Sequence, residues 1–269
     1  MSTLVCFHAH PDDECLATGG TIARATAEGH RVVLVVATNG DYGEVPNDLQ
    51  TGETLIDRRY KEVMASARVL GVARVEMLGY KDSGMTGWPQ NADPQAFINI
   101  DIEVAATRVA DIFREEHADA ITIYDWHGNY GHPDHIAVHK VGHRAAVLAG
   151  VTNVFEMTTN RDVFRRMREM ALINPQLVSG SEGIGDFDPD GPADDGNPTG
   201  EPESVITHKV DVRKYCDLKR KAIACHQSQI TDTSFFLNMT DEIFSLAFGD
   251  EWFIKRGEAG PMRERWLFE

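Results

Sequence analysis

The chain has 269 residues, 42% of them hydrophobic, and a formal net charge of −16 at pH 7. A chain of this length can bury a sizeable core, so we expect one domain over residues 1–269. The negative charge argues against nucleic acid or an anionic membrane as a partner, because both need clustered Lys and Arg. No apolar run approaches a membrane span and no secretory signal is apparent, which predicts a cytoplasmic protein. The sequence leaves open whether it forms a homo-oligomer.

Apolar runs alternate with amphipathic segments along the chain. Strands are predicted at Leu4–Phe7, Arg31–Thr38, Arg74–Leu78, Asp119–Tyr124, Asn153–Met157 and Val205–Val212. Helices are predicted at about Leu16–Gly29, Glu53–Leu70, Phe97–Glu116, Asp134–Ala149 and Arg213–Gln229. This alternation predicts an α/β fold with a doubly wound, mainly parallel, Rossmann-like sheet and helices on both faces. The segment at about 179–204 is rich in Gly, Pro and acidic residues and is predicted to be a solvated loop or lid.

A cluster of histidines and carboxylates follows the first predicted strand. The run His8-Ala9-His10-Pro11-Asp12-Asp13-Glu14 holds two imidazoles and three carboxylates. Ligands of open α/β sheets bind outside the carboxyl ends of the strands, so this run is typical of a metal site. The simpler interpretation is a helix cap made by one of the Asp residues, but a cap leaves both histidines unexplained.

A second cluster, which runs from Tyr124 to His135, follows the predicted strand that ends at Tyr124. His132 and His135 stand three residues apart with Pro133 between them, and Pro is favoured at the first position of a helix. The two histidines are therefore expected to face one pocket. His-x-x-His alone is a weak signal, but a His-Pro-Asp cluster at the end of each of two strands is much more specific.

The two motifs, His10-Pro11-Asp12-Asp13-Glu14 and His132-Pro133-Asp134-His135, resemble those of the LmbE/PIG-L family of zinc-dependent N-deacetylases. That family includes N-acetylglucosaminyl-phosphatidylinositol, mycothiol-pathway and antibiotic-biosynthesis deacetylases. The resemblance implies three zinc ligands, at His10, Asp13 and His135. It also implies a general base at Asp12, a residue that stabilises the transition state at His132, and a tyrosine over the tetrahedral intermediate at Tyr130.

Physical chemistry agrees with these implied roles. Two His and one carboxylate are a known ligand set for a catalytic Zn²⁺ that keeps an open position, although Fe²⁺ accepts the same ligands. A neighbouring carboxylate that does not bind the metal is needed to take the proton of the attacking water, and Asp12 is the nearest candidate. A protonated His132 or the Tyr130 hydroxyl is expected to stabilise the oxyanion. Asp134 is expected to keep His132 charged and oriented.

Substrate contacts are predicted on the loops that follow the second and third strands and on the long helix. The candidates are Asp41, Arg59, Ser83 and Met85. Arg59 and Glu62 resemble the Arg-x-x-Glu that family members present to the substrate, but a surface salt bridge is an equally good interpretation of Arg59. The Asp-Ser-Gly-Met run at 82–85 resembles mycothiol-pathway members and favours an aminosugar substrate.

The sequence therefore predicts a zinc-dependent hydrolase that removes an N-acetyl group from a small aminosugar-containing substrate. Two alternatives stay open: an amidase that cleaves a mycothiol-type thiol conjugate, and a non-catalytic, metal-dependent sugar-binding module. The binding module is disfavoured because Asp12 is present. A dinucleotide-binding enzyme is disfavoured because His-Pro-Asp-Asp occupies the turn where the glycine-rich fingerprint belongs.

Overall fold

The computed structural model describes residues 1–173, 188–230 and 234–269. Within these residues, eight strands form one sheet. The strands are β1 (Thr3–His8), β2 (Arg31–Thr38), β3 (Arg74–Tyr80), β4 (Ala120–Tyr124), β5 (Val154–Thr158), β6 (His208–Asp211), β7 (Asp250–Lys255) and β8 (Arg263–Glu264). Their order across the sheet is β3-β2-β1-β4-β5-β7-β6-β8. Strands β1 and β2 are almost wholly buried, as expected for continuous apolar runs in the middle of a covered parallel sheet.

The first five strands in the chain run parallel, whereas β7 runs antiparallel to both β5 and β6. The sheet is therefore mainly parallel, and the predicted doubly wound α/β fold is confirmed. Strands β1 and β4 are direct neighbours, with Leu4 opposite Ala120 and Cys6 opposite Thr122. Because parallel neighbours end at the same edge of a sheet, this register brings the two His-Pro-Asp motifs side by side.

Helices cover the sheet in two groups, one formed by α4 and α6 and the other by α2, α3 and α8. The helices are α1 (Asp13–Ala17), α2 (Gly19–Ala27), α3 (Leu55–Leu70), α4 (Ile102–Glu115), the single turn α5 (Gly128–Gly131), α6 (Pro133–Ala149), α7 (Arg161–Ile173), α8 (Cys216–Ile223), the short α9 (Phe235–Asn238) and α10 (Asp241–Phe248). None of those in the described ranges is long and apolar enough to cross a bilayer.

Local sequence signals fix the ends of the two long helices near the site. Thr54 and Asp57 form a reciprocal capping box at the start of α3, and Gly71 ends that helix in a left-handed conformation. Helix α6 begins with Pro133 in its first turn, where a missing N–H costs nothing, and ends before Gly150. The positions of Arg59 on α3 and His135 on α6 follow from these ends.

Several parts of the fold differ from the sequence prediction, including the predicted helix Phe97–Glu116, which begins as an α-helix only at Ile102. The predicted helix Leu16–Gly29 begins earlier and divides into α1 and α2 at Thr18, whose hydroxyl lies 2.8 Å from Nε2 of His8. The predicted helix Arg213–Gln229 ends at Ile223. The elements α7, α9, α10, β7 and β8 were not predicted, and β7 is a strand because it lies between β5 and β6, a tertiary arrangement that its own sequence does not signal.

The acidic segment predicted at about 179–204 lies partly outside the described residues, which resume at Asp188. Its described part folds back onto the second motif. The N–H of Asp194 donates to the carbonyl of Tyr130, and the N–H of Gly200 donates to that of Asn129. This part of the segment therefore covers the loop that carries Tyr130.

Candidate metal centre and active site

The first motif leaves the carboxyl end of β1 and enters α1 within a few residues. His8 is the last residue of β1, and Asp13 is the first of α1. Asp12 precedes α1 with φ 126°, outside the conformations that a side chain normally allows. Backbone strain of this kind persists only where the surroundings enforce it, and it clusters at functional sites.

The side chains predicted to bind a metal lie together at the edge where β1 and β4 end. Oδ2 of Asp13 lies 3.3 Å from Nδ1 of His10 and 3.4 Å from Nε2 of His135. In a tetrahedral zinc site with bonds of about 2.0–2.1 Å, ligand atoms are separated by about 3.3–3.4 Å. The two separations that Asp13 makes are therefore those of neighbouring ligands around a tetrahedral divalent cation. The ring nitrogens of His10, His132 and His135 also lie within 4.8 Å of one another, which places His132 beside this centre.

Hydrogen bonds on the far side of each imidazole fix its orientation. Nδ1 of His135 lies 3.2 Å from the carbonyl oxygen of Gly128, and its ring stacks on Tyr124 with centroids 4.0 Å apart. Nε2 of His10 lies 3.2 Å from Oδ2 of Asp134. A metal-binding His usually donates its second N–H in this way, so Nδ1 of His10 and Nε2 of His135 are left to bind a cation.

The carboxylate of Asp134 serves His10 and not His132. Besides its contact with His10, this buried carboxylate accepts hydrogen bonds from the N–H of Ser83 at 2.9 Å and from the Ser83 hydroxyl at 2.5 Å. The backbone N–H of Asp134 instead donates to Nδ1 of His132, 3.1 Å away. Asp134 therefore contacts His132 through its backbone N–H, whereas its carboxylate, the group expected from the sequence to orient His132, hydrogen-bonds to His10.

The surroundings of His132 favour its neutral form. Burial, together with the neighbouring His10 and His135, lowers the pKa of His132 to about 2. Because its Nδ1 accepts a hydrogen bond, its single proton lies on Nε2. The hydrogen bond from Asp134 therefore favours a neutral Nε2–H donor, where the sequence prediction has an imidazolium.

Arg59 contacts the predicted base directly. Its Nη2 donates to Oδ2 of Asp12 at 2.9 Å and to the carbonyl of Pro11 at 2.6 Å, and its Nη1 donates to the carbonyl of Gly40 at 2.8 Å. The residue is 3% exposed, so it is not the surface salt-bridge partner of the simpler interpretation. Burial raises the pKa of Asp12 to about 6, and the Arg59 cation opposes that rise.

The other predicted substrate residues divide into those that reach the cavity and those that do not. Ser83 is fully buried and bonded to Asp134, and the Asp41 carboxylate accepts from the N–H of Asp82. Neither lines the cavity, so the structure does not support direct substrate contact by these two side chains. Met85 and Tyr130 do line it, and the Tyr130 hydroxyl lies 3.5 Å from Nε2 of His135.

A cavity of about 810 Å³ opens from this centre. Glu44, Asp82 and Gln229 line it, although the sequence analysis did not select them. Glu44 and Asp82 lie on the loops that follow β2 and β3, which the sequence analysis selected for substrate contacts. The sequence therefore indicated the correct loops but not these side chains. Phe248 and Trp252, from C-terminal elements that the sequence did not predict, also line the cavity.

Comparison with known proteins places the chain in a family. Residues 5–146 match the family model described as PIG-L, GlcNAc-PI de-N-acetylase. The chain is 36% identical over 284 residues to a 1D-myo-inositol 2-acetamido-2-deoxy-alpha-D-glucopyranoside deacetylase of Acidothermus cellulolyticus, and the match covers 100% of this chain and 94% of the relative.

Solved structures share the fold at low sequence identity. An N,N'-diacetylchitobiose deacetylase from Pyrococcus horikoshii aligns with a TM-score of 0.53 at 24% identity, over 86% of this chain and 72% of that chain. The 4-carboxy-2-hydroxymuconate hydratase GalB from Pseudomonas putida aligns with a TM-score of 0.58 at 15% identity, over 97% and 98%. A deacetylase and a hydratase on one fold show that the fold alone does not fix the reaction. The family model and the full-length relative do place the chain: it belongs to the PIG-L family of de-N-acetylases.

Proposed function

We propose that the chain is a metal-dependent N-deacetylase that hydrolyses the acetamide of an aminosugar and releases acetate and a free amine. The observation that carries this proposal is the pair of 3.3 and 3.4 Å separations that Asp13 makes with His10 and His135. We assign these three side chains to a zinc ion, with Fe²⁺ as an alternative in the cell. At such a site a divalent cation supplies Lewis-acid chemistry, lowering the pKa of a water molecule and polarising the amide carbonyl.

A single carboxyl group, that of Asp12, carries both proton transfers. Asp12 is adjacent in sequence to Asp13, and its carboxylate accepts a hydrogen bond from the Arg59 guanidinium. A base with a pKa near 6 is ionised at neutral pH and can take the proton of the attacking water. The same carboxyl then delivers this proton to the nitrogen of the departing amine. Asp12 therefore acts first as base and then as acid.

Oxyanion stabilisation falls to donors on the opposite side of the site. His132 presents its Nε2–H beside His10 and His135, with ring centroids 4.5 and 5.2 Å from theirs. A preorganised donor at this position stabilises the negative charge that develops on the carbonyl oxygen. The Tyr130 hydroxyl is a second donor, and burial raises the pKa of Tyr130 so that it keeps its proton.

We propose that the substrate carries a glucosamine unit joined to a polyol. The relative from Acidothermus cellulolyticus is named for such a substrate. The cavity of about 810 Å³ is large enough for a disaccharide-sized molecule, and the carboxylates of Glu44 and Asp82 on its wall suit sugar hydroxyls. The thiol-conjugate amidase and the non-catalytic binding module are not favoured. We propose a cytoplasmic location. The four cysteines are free thiols, which is compatible with a reducing compartment.

The test is hydrolysis of a panel of acetylated substrates by the zinc-loaded protein. The panel contains N-acetylglucosaminyl-inositol, N,N'-diacetylchitobiose, free N-acetylglucosamine and an acetylated thiol conjugate, with released acetate and amine both measured. We expect turnover of the inositol glycoside at the highest kcat/KM. Cleavage of the thiol conjugate alone would overturn the proposed substrate class. If metal-replete protein hydrolysed no member of the panel, the proposed deacetylase activity would be overturned.

A further inference from the structure

We propose that Glu14 is a positioning residue: its carboxylate, held by Ser66 and His226, fixes the backbone of Asp12 in the strained conformation that points the base at the metal centre. The inference rests on the proposed function, because it takes Asp12 as the base. It concerns a buried cluster behind the site that contributes no ligand and lines no part of the cavity.

Glu14 is fully buried and accepts hydrogen bonds on both oxygens. Oε2 accepts from the backbone N–H of Asp12 at 2.9 Å. Oε1 accepts from the Ser66 hydroxyl at 2.5 Å and from Nε2 of His226 at 2.8 Å. A buried carboxylate is stable only when donors of this kind surround it, so its position is determined by where these three donors lie.

Asp12 needs such an anchor because its φ of 126° is unfavourable for a residue with a side chain. The carbonyl of Asp12 is held as well, since it accepts from the Cys15 thiol at 2.9 Å and from the N–H of Cys15 at 3.2 Å. Both polar groups of the strained residue are thus bonded within the turn that begins α1. The Asp12 side chain faces Arg59 and the cavity as a result.

The two side chains that donate to Glu14 come from distant parts of the chain. Ser66 lies on α3, and His226 follows the end of α8. Helices α1 and α3 both pack against α8, so the cluster joins three elements behind the base. The conformation of Asp12 is therefore linked to the packing of α3 and α8, and residues without contact to the substrate are expected to control kcat.

The first measurement compares Glu14→Ala in two backgrounds. In the wild-type background, we expect kcat to fall at least tenfold while KM and the zinc content change little. In the Asp12→Asn background, Glu14→Ala should cause no further fall, because Glu14 acts through Asp12. An equal loss in both backgrounds, or an unchanged kcat in folded Glu14→Ala, would overturn the proposal. Turnover of the wild type and its loss in Asp12→Asn are measured first. If either result is not obtained, the proposed function fails, and this failure is distinct from failure of the role of Glu14.

A conservative variant and a matched pair separate positioning from general stability. Glu14→Gln keeps a carbonyl oxygen that can accept from Asp12, so it should retain most of the kcat that Glu14→Ala loses. His226→Ala is compared with His143→Ala, since His143 makes an equivalent Nε2–Glu contact of 2.6 Å with Glu156 away from the cavity. Only His226→Ala should lower kcat. Equal effects of the two His variants on kcat would contradict the proposal.

A readout that is independent of turnover comes from crystal structures of the Glu14→Ala and Glu14→Gln proteins. We expect φ of Asp12 to leave the region near 126° in Glu14→Ala and to stay there in Glu14→Gln. An unchanged Asp12 backbone in Glu14→Ala would overturn the proposal. If that variant does not fold, Ser66→Ala carries the same measurements, because it removes one of the donors to Oε1 of Glu14.

Discussion

The carboxylate of Asp134 lies 3.2 Å from Nε2 of His10, on the side of the imidazole away from Asp13. This contact joins the two motifs, because His10 belongs to the first and Asp134 to the second. A carboxylate in this position fixes the ring and makes the other nitrogen a better ligand. Ser83 fixes the carboxylate in turn through two hydrogen bonds. The proposed metal centre therefore depends on the segments that follow β1, β3 and β4.

Asp134→Asn is expected to weaken metal binding without abolishing it. The variant loses the charge that orients His10 but keeps all three proposed ligands, and loss of such a partner typically costs about 10–100-fold in metal affinity. Competition with a chromophoric chelator measures the dissociation constant. His10→Ala and His135→Ala serve as references and should lose most of the bound metal. Metal affinity in Asp134→Asn equal to that of the wild type would show that the contact with His10 has no such role.

Asp12→Asn should retain the metal and lose most turnover. An amide cannot accept the proton of the attacking water, so we expect kcat to fall by about a hundredfold or more. Elemental analysis of the purified variant checks the metal, and acetate release checks the rate. Substantial activity in the metal-replete variant would remove Asp12 from the role of base.

His132→Ala should lower kcat by about a hundredfold while metal content and KM stay close to wild type, because the interaction is made in the transition state. A neutral donor and a cation differ in one respect. If His132 acts through a neutral Nε2–H, the basic limb of the wild-type pH profile does not belong to His132, and the residual activity of the variant keeps it. Disappearance of the basic limb in the variant would instead show that His132 acts as the imidazolium that the sequence predicts.

Arg59→Gln should move the acid limb of the kcat/KM profile to higher pH. Burial raises the pKa of Asp12 to about 6, and Arg59 opposes the rise, so removing the cation raises this pKa further. The base must be ionised, and activity is therefore lost at a higher pH as the solution is acidified, by about one pH unit. Arg58→Gln is the control, because Arg58 pairs with Asp48 and Glu53 and not with the site. A shift of equal size in both variants would argue against the Arg59–Asp12 contact as its cause.

His208 should make the protein less stable in mild acid. Burial lowers its pKa from 6.5 to about 4. Because the folded state binds the proton more weakly than the unfolded state, the contribution of neutral His208 is complete above pH 6.5 and is lost as the pH falls towards 4. The loss is up to about 3 kcal/mol of unfolding free energy.

Urea midpoints of metal-free protein at pH 7 and pH 4.5 measure this effect. His208→Gln should lose less stability between the two values than the wild type does. His117→Gln is the control, since His117 is exposed. Equal losses in the wild type and His208→Gln would contradict the assignment.

The elements that carry the site were predictable from local patterns. Continuous apolar runs predict β1, β2 and β4 because strands buried on both faces need them, and Pro133 and Gly150 mark the ends of α6 through their restricted or permissive backbones. The end of a strand also fixes where the next loop starts. The positions of both His-Pro-Asp motifs at the same edge of a mainly parallel sheet follow from these features.

Only the tertiary structure decided which partner each polar side chain meets. Asp134 faces His10, 124 residues earlier in the chain, and Arg59 faces Asp12, 47 residues earlier. Hydrogen bonds over such distances depend on how helices and loops pack, and no local pattern encodes them. Neighbours on one loop also point in different directions, so Asp82 lines the cavity while Ser83 is buried behind it. The sequence by itself determined which side chains gather at this edge of the sheet, whereas packing determined the hydrogen bond that His132 accepts, the contact of Arg59 with Asp12 and the strained backbone of Asp12.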